Sequence, residues 1–113
     1  MIKGLHAILY SPHADAVRAF IRDKLQFPHN DVGGGWLIFD MPSADLASHP
    51  SDTTYHQISF YCDDIQATVS ELKGRGVEFT SGISEQTWGW QTTFRVTPDI
   101  ELQLYQPKYS KSA

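Results

Sequence analysis

Four polar residues stand at matching positions in two halves of the sequence, and their types are those of metal ligands. His6 lies in a first β-like segment, and Gln57 occupies the corresponding place 51 positions later (57 − 6). Asp45 and Glu101 each precede a leucine in a later β-like segment of their half. Imidazole, amide and carboxylate groups coordinate hard or borderline divalent cations such as Mg²⁺, Mn²⁺, Co²⁺ and Ni²⁺. A duplicated chain can bring four separated positions together, so the pattern predicts a metal site.

Two copies of one β-α-β-β-β pattern hold these residues. We expect a single domain over residues 1–113, with modules at about 1–50 and 51–107 and a loose tail at 108–113. In the first module the predicted helix covers 12–25, and the predicted strands cover 4–10, 36–41 and 44–48. In the second module the predicted helix covers 64–75, and the predicted strands cover 55–62, 77–80, 91–96 and 100–105. Asp63, with Gln66 three residues later, has the spacing of a capping box that begins the second helix.

Alternation of apolar and polar residues predicts which strand face carries chemistry. The last strand alternates an apolar with a polar set, Ile100, Leu102 and Leu104 against Glu101, Gln103 and Tyr105. Because the apolar set must pack under a helix, Glu101 is expected on the opposite face. The weaker alternation of the first strand places His6 on that face as well. A carboxylate between two apolar residues is costly to bury without a partner, so we predict that Glu101 belongs to a site with His6.

The second module offers two candidates for the counterpart of His6. Its first strand has an apolar set at residues 58, 60 and 62, which is expected to pack under the second helix, and His56 shares that parity. Gln57 therefore faces the site by register. A β-bulge at the start of the strand would exchange the two residues, so both alternatives stay open.

Aromatic residues offer a different kind of site. Three tyrosines share the parity of the site and are candidate donors to a bound oxyanion: Tyr10, Tyr61 and Tyr105. The three tryptophans either pack in the core or line its rim, and Trp88 and Trp90, around Gly89, are the pair that could wall the mouth of a cavity.

The sequence resembles the vicinal oxygen chelate superfamily, which includes glyoxalase I, bleomycin-resistance proteins, fosfomycin-resistance transferases, methylmalonyl-CoA epimerase and extradiol dioxygenases. The resemblance covers essentially residues 2–107 and rests on the LHAILY start, the FYCDDIQATVSELKGRGVEF segment, the duplicated order and the closing IELQLYQP. It implies an α+β fold in which two tandem βαβββ modules form a curved eight-stranded half-open barrel, with the helices on its convex face. It also implies a homodimer and a divalent metal ion on the concave face.

The same resemblance implies a role for each site residue. His6, Gln57 and Glu101 would be metal ligands, with Mn, Mg, Ni, Co, Zn or Fe as the metal, and Glu101 and Asp45 would be the catalytic groups that move a proton. The chain departs from the family pattern at Asp45, where many members have the longer Glu, and at Gln57, where many have His.

Three functions follow from this resemblance. The first is a glyoxalase- or isomerase-like metalloenzyme that chelates vicinal oxygens of a small-molecule substrate and transfers a proton. The second is a non-catalytic, bleomycin-resistance-like protein that binds a small molecule without needing metal. The third is an extradiol-type iron dioxygenase, which requires His56 to face inward.

Composition excludes several other classes of partner. The net charge of −4 and the nine scattered Lys and Arg residues give no basic surface for nucleic acid. The longest apolar stretches have four to six residues, too short to span a membrane, and the first residues lack the apolar core of a secretory signal. We therefore expect a cytoplasmic protein with a small-molecule ligand. One cysteine, Cys62, permits no internal disulfide.

Overall fold

The computed structural model describes residues 6–9, 11–41, 43–44, 50 and 52–109. Its helices are α1 (Ala14–Phe20), which continues into a π-helical segment (Ile21–Leu25), and α2 (Ile65–Gly74). Its strands are β1 (His29–Asp31), β2 (Leu37–Phe39), β3 (Ser59–Tyr61), β4 (Glu78–Phe79), β5 (Ser84–Gln86), β6 (Gly89–Thr97) and β7 (Ile100–Pro107). The predicted α+β class is confirmed. None of the helices in these ranges is long and apolar enough to cross a membrane.

A five-stranded sheet built entirely from the second module dominates the described fold. Its order is β3-β7-β6-β4, and β5 pairs with β6. The long strands β6 and β7 are antiparallel, whereas β3 lies parallel to β7. A register shift between Arg95 and Thr97 bends β6 just before the turn into β7. With the two-stranded β1–β2 sheet, the described chain has seven strands in two open sheets, so the tandem modules and the eight-stranded half-open barrel stay predictions.

Both helices contribute to a core on one face of this sheet. Phe94 is fully buried at the centre of β6, and its ring is stacked on Phe20 of α1 with 6.1 Å between centroids. Leu102 and Leu104 of β7 are 5% and 4% exposed, and Leu72 of α2 joins them. Burying a side chain of this size contributes about 1.5–3 kcal/mol, so these contacts fix which face of each strand turns inward. The predicted apolar set of the last strand is confirmed.

Helix α2 begins one residue later than the capping-box spacing predicts. Asp64, not Asp63, is the N-cap, and its carboxylate accepts a hydrogen bond of 3.1 Å from the backbone N–H of Ala67. The extended backbone of Asp64 (φ −138°, ψ 100°) is the conformation that an N-cap requires. In the turn after the helix Gly76 adopts a φ of 84°, which glycine reaches without steric cost.

The first module differs more from its sequence pattern. Residues 6–9 form no strand, although a strand over 4–10 was expected, because no described strand pairs with them. The helix expected over 12–25 is present as α1 and the π-helical segment, and the strand expected over 36–41 is present as the shorter β2. Strand β1 lies next to a turn-rich stretch and was not predicted. Most of the strand expected over 44–48 lies outside the described residues.

The N-terminal segment is tied to the turn between β6 and β7 through Asp99. The hydroxyl of Thr97 donates to one carboxylate oxygen of Asp99, and Ser11 Oγ donates to the other at 2.9 Å. These two hydrogen bonds, that from Thr97 first, hold the pKa of the Asp99 carboxyl below its ordinary value because they favour the charged form.

Candidate functional site

The sheet face opposite the helices carries three cross-strand rows of mostly polar residues. We call it the free face, with an aromatic row of Tyr61, Tyr105 and Gln91, an amide row of Ser59, Gln103 and Thr93, and a charged row of Glu101, Arg95 and Glu78. The residues that alternate with these along β6 and β7, such as Thr92, Phe94, Leu102 and Leu104, are buried under the helices. The rows therefore share one surface because of the period of two along each strand.

The amide row is a set of hydrogen-bonding groups already joined to one another. Ser59 Oγ donates to Gln103 Oε1 at 2.5 Å across the parallel β3–β7 pair. On the other side, Thr93 Oγ1 lies 2.7 Å from Thr80 Oγ1 and 3.0 Å from Ser81 Oγ. These contacts fix the orientation of the side chains before any ligand arrives.

The charged row is organised around Arg95. Its Nη2 donates to Glu101 Oε1 at 2.9 Å, and its Nε lies 3.6 Å from Glu78 Oε2. Its Nη1 also donates to the carbonyl of Pro98 at 3.4 Å. Two carboxylates thus surround one guanidinium, and the row as a whole carries one excess negative charge.

The aromatic row lies towards the end of β7 that is remote from the charged row. The hydroxyl of Tyr105 donates to the carbonyl of Trp88 at 3.2 Å, and the ring of Tyr109 lies 6.3 Å from that of Tyr105. Trp88 is 50% exposed, whereas Trp90 packs against the core. This end of the face can offer aromatic rings to a planar ligand.

Of the predicted metal set, only Glu101 lies on a described strand. Glu101 lies on the free face, as the alternation of β7 predicts. His6, His56 and Gln57 are exposed and lie outside the strands, and Asp45 falls outside the described residues.

Two further observations bear on Gln57. The N-caps of α1 and α2, His13 and Asp64, are 51 positions apart (64 − 13), which equals the separation of His6 and Gln57.

The register of β3 against β7 is the second observation. Ser59 pairs with Gln103 and Tyr61 with Tyr105, an offset of 44 (103 − 59 and 105 − 61). The pairing reaches towards the start of the strand, since Gln103 N–H donates to the carbonyl of Ile58 at 3.4 Å. Continued to residue 57, the same offset sets Gln57 opposite Glu101.

Within the described ranges, no three His, Cys, Asp or Glu side chains come together in a group that could hold a metal ion. The Glu101 carboxylate already binds the guanidinium of Arg95, and a divalent ion at that carboxylate would be repelled by it.

Arg95 is the main site residue that the sequence pattern did not single out. Its signal was present, because it lies two residues from Thr93 on a predicted strand and so shares the polar face. The sequence pattern could not predict that Arg95 pairs with Glu101, because that register depends on the tight β6–β7 turn. Tyr109 was assigned to a loose tail, yet its ring lies beside Tyr105.

A family model for the glyoxalase/bleomycin resistance protein/dioxygenase superfamily matches residues 5–101. The chain belongs to this superfamily. The match spans both helices and every described strand except most of β7, and it includes Arg95 and Glu101. No curated protein matches the sequence.

Solved structures share the fold of this superfamily member at low sequence identity. TnmS3, an antibiotic binding protein from Streptomyces sp. CB03234, is 23% identical over 96% of this chain and 100% of its own, with a TM-score of 0.60. The fosfomycin resistance protein FosX from Listeria monocytogenes is 18% identical over 96% of each chain, with a TM-score of 0.58. Lactoylglutathione lyase from Agrobacterium tumefaciens is 22% identical over 92% of this chain and 96% of its own, with a TM-score of 0.54. The same fold is thus found in an antibiotic binding protein, a fosfomycin resistance protein and a lyase.

Proposed function

We propose that this protein binds a small, planar organic molecule on the free face of its sheet, as a non-catalytic binding protein of the bleomycin-resistance kind. The observation that carries the proposal is the order of the three rows, which places aromatic rings at one end of the face and a charge-neutralised carboxylate at the other. A ligand would stack on the Tyr105 end and extend its polar groups over the amide row. Sites for small molecules commonly combine apolar contact area with a few oriented polar groups.

Arg95 supports a site without a resident metal. By binding Glu101 it supplies the positive charge that a metal would otherwise supply to this carboxylate. Similarity to an antibiotic-binding protein over nearly the whole chain agrees with this function, although at 23% identity it concerns the fold alone. We also propose that the chain acts as a homodimer, as its resemblance to the family implies, and that it is cytoplasmic.

A screen with a matched pair of variants tests the proposal. Planar aromatic compounds are screened by thermal shift in the presence of EDTA, and the compounds that bind are titrated by tryptophan fluorescence. Tyr105→Leu should weaken their binding by about fivefold, because a stacked aromatic pair contributes about 1 kcal/mol. Tyr55→Leu, at an exposed tyrosine that precedes β3, should leave binding unchanged. Equal affinity for the two variants would exclude the aromatic end of the face as the binding site.

A glyoxalase-like metalloenzyme is the second candidate, favoured by the β3–β7 offset, which would set Gln57 opposite Glu101 if the pairing continued to residue 57. In this case His6 and Gln57, with Glu101 released from Arg95, would hold the ion, and Asp45 would complete the catalytic set. The iron dioxygenase alternative requires His56 in place of Gln57. Elemental analysis of protein purified without chelator separates the candidates. The metalloenzyme replaces the binding-protein proposal if the wild type holds a full equivalent of metal that is lost in Gln57→Ala and kept in His56→Ala.

A further inference from the structure

A cavity of about 230 Å³ lies on the helix side of the sheet, between α2 and the end of the π-helical segment. Tyr61 of the aromatic row also contributes to its lining. Sheet residues form its floor and the two helical elements form its walls, with Phe60, Phe94, Leu104, Leu25, Phe27 and Leu72 as the main apolar contacts. We propose that this cavity binds one small neutral apolar molecule, of the size of a monocyclic or bicyclic aromatic compound.

The chemistry of the lining sets the class of ligand. The hydroxyl of Thr68 donates to a carbonyl of its own helix at 2.7 Å. Arg75 donates to the carboxylate of Glu71 at 2.6 Å and to the carbonyl of Lys24 at 3.0 Å. Burial raises the pKa of the Cys62 thiol, which keeps it neutral. The polar groups named here are satisfied within the protein, so an occupant gains from contact with the apolar walls and not from hydrogen bonds.

The size of the cavity suits such an occupant. A void lined by Leu, Ile and Phe side chains stays dry, and an engineered cavity of about 150 Å³ binds benzene. The cavity between α2 and the π-helical segment is larger than that. Of its lining residues, Met41 and Glu71 are exposed, which places the mouth on their side and gives a small molecule a route inward.

The backbone at one wall is unusual in a way that often accompanies binding. Helix α1 widens into the π-helical segment, which ends at Gln26 with a left-handed conformation (φ 61°, ψ 40°). Gln26 separates Leu25 from Phe27, and both of these line the cavity. The ring of Phe27 meets that of Phe60 edge-on, with 5.2 Å between centroids. π-Helical turns and left-handed non-glycine residues are costly and occur disproportionately at functional sites.

The single cysteine of the chain gives a direct readout. Cys62 lines the cavity, so an occupant should shield its thiol from 5,5′-dithiobis(2-nitrobenzoic acid). Toluene and indole are the probes. At about nine times the Kd of a probe, the rate of thiol modification should fall by about tenfold, and the melting temperature should rise.

Two variants locate the effect. Leu25→Trp fills the cavity from its wall and should abolish protection by either probe. Tyr55→Leu, at an exposed tyrosine outside the cavity lining, should leave protection intact. The proposal is overturned if the wild-type thiol reacts equally fast with and without both probes, or if Tyr55→Leu removes the protection. Should Leu25→Trp fail to fold, the wild type and Tyr55→Leu still decide the question. Neither result depends on whether the free face binds a ligand.

Discussion

Replacing Arg95 by glutamine should convert the charged row into a better cation site. In the wild type, Arg95 Nη2 lies 2.9 Å from Glu101 Oε1, and Nε lies 3.6 Å from Glu78 Oε2. Glutamine keeps much of the length and the hydrogen-bonding capacity of the side chain but removes its charge. Glu101 is then free to coordinate an ion.

The size of the effect follows from that geometry. Metal–carboxylate distances are about 2 Å, so an ion on Glu101 would lie within about 5 Å of the Arg95 guanidinium. Repulsion between charges of +2 and +1 at about 5 Å is about 1.7 kcal/mol in bulk water and about 6.6 kcal/mol at an effective dielectric constant of about 20. The side chains of Arg95 and Glu101 are 36% and 44% exposed, so the lower figure applies. Arg95→Gln should therefore tighten Mn²⁺ binding by about tenfold or more.

Isothermal titration with Mn²⁺ measures this directly. Arg18→Gln is the matched control, since Arg18 makes a 2.9 Å pair with Asp15 on α1 and lies outside the free face. Adding Glu101→Gln to the Arg95 variant should cancel the gain. Equal Kd values for the wild type and Arg95→Gln, or an equal gain in the Arg18 variant, would refute the idea that Arg95 keeps cations off this face.

Three further outcomes are expected. Asp64→Ala should lower the free energy of unfolding in urea by about 1 kcal/mol, because it removes an N-cap hydrogen bond. Asp63→Ala should change the free energy of unfolding by less than about half of that. A larger loss in Asp63→Ala than in Asp64→Ala would show that Asp63 is the N-cap. Gly89→Ala should destabilise the protein by about 1–3 kcal/mol, since its Cβ would overlap a backbone carbonyl oxygen of β7, whereas Gly82→Ala, with open space around it, should not. The Asp99 carboxyl should titrate below its ordinary range by NMR, because two hydroxyl groups donate to it. A lowered folded-state pKa stabilises the fold above the unfolded pKa, so this contribution should be lost as the pH falls below about 4; a normal pKa for Asp99 would contradict these hydrogen bonds.

The alternation along β7 was the most reliable guide in the sequence. Leu102 and Leu104 bury themselves and leave Glu101 on the free face, because a period of two is a local property that neighbouring strands do not alter. Helical periodicity is likewise a local property, and the second helix, expected over 64–75, was predicted to within one residue at each end. The choice between Asp63 and Asp64 could not be made from spacing, since both precede the helix and only the backbone conformation separates them.

Features that depend on pairing were beyond the sequence. Residues 6–9 have strand-like composition, but a strand exists only where a partner supplies hydrogen bonds. β3 was likewise expected over 55–62 and is formed as a strand only at Ser59–Tyr61. The contact between Arg95 and Glu101 depends on how tightly the chain turns between β6 and β7, and no periodicity encodes that turn.

The order of the rows along β7 also sets a length. Glu101 and Tyr105 belong to the charged and the aromatic row and are four residues apart on one extended strand. At about 3.4 Å per residue, the two rows are about 13–14 Å apart. A molecule that stacks on the tyrosine and also reaches the Arg95–Glu101 pair must span that distance, which is about the length of three fused six-membered rings with a substituent. A shorter molecule can contact only one of the two rows at a time. The spacing of residues along β7 therefore selects ligands by length, independently of any selection by shape.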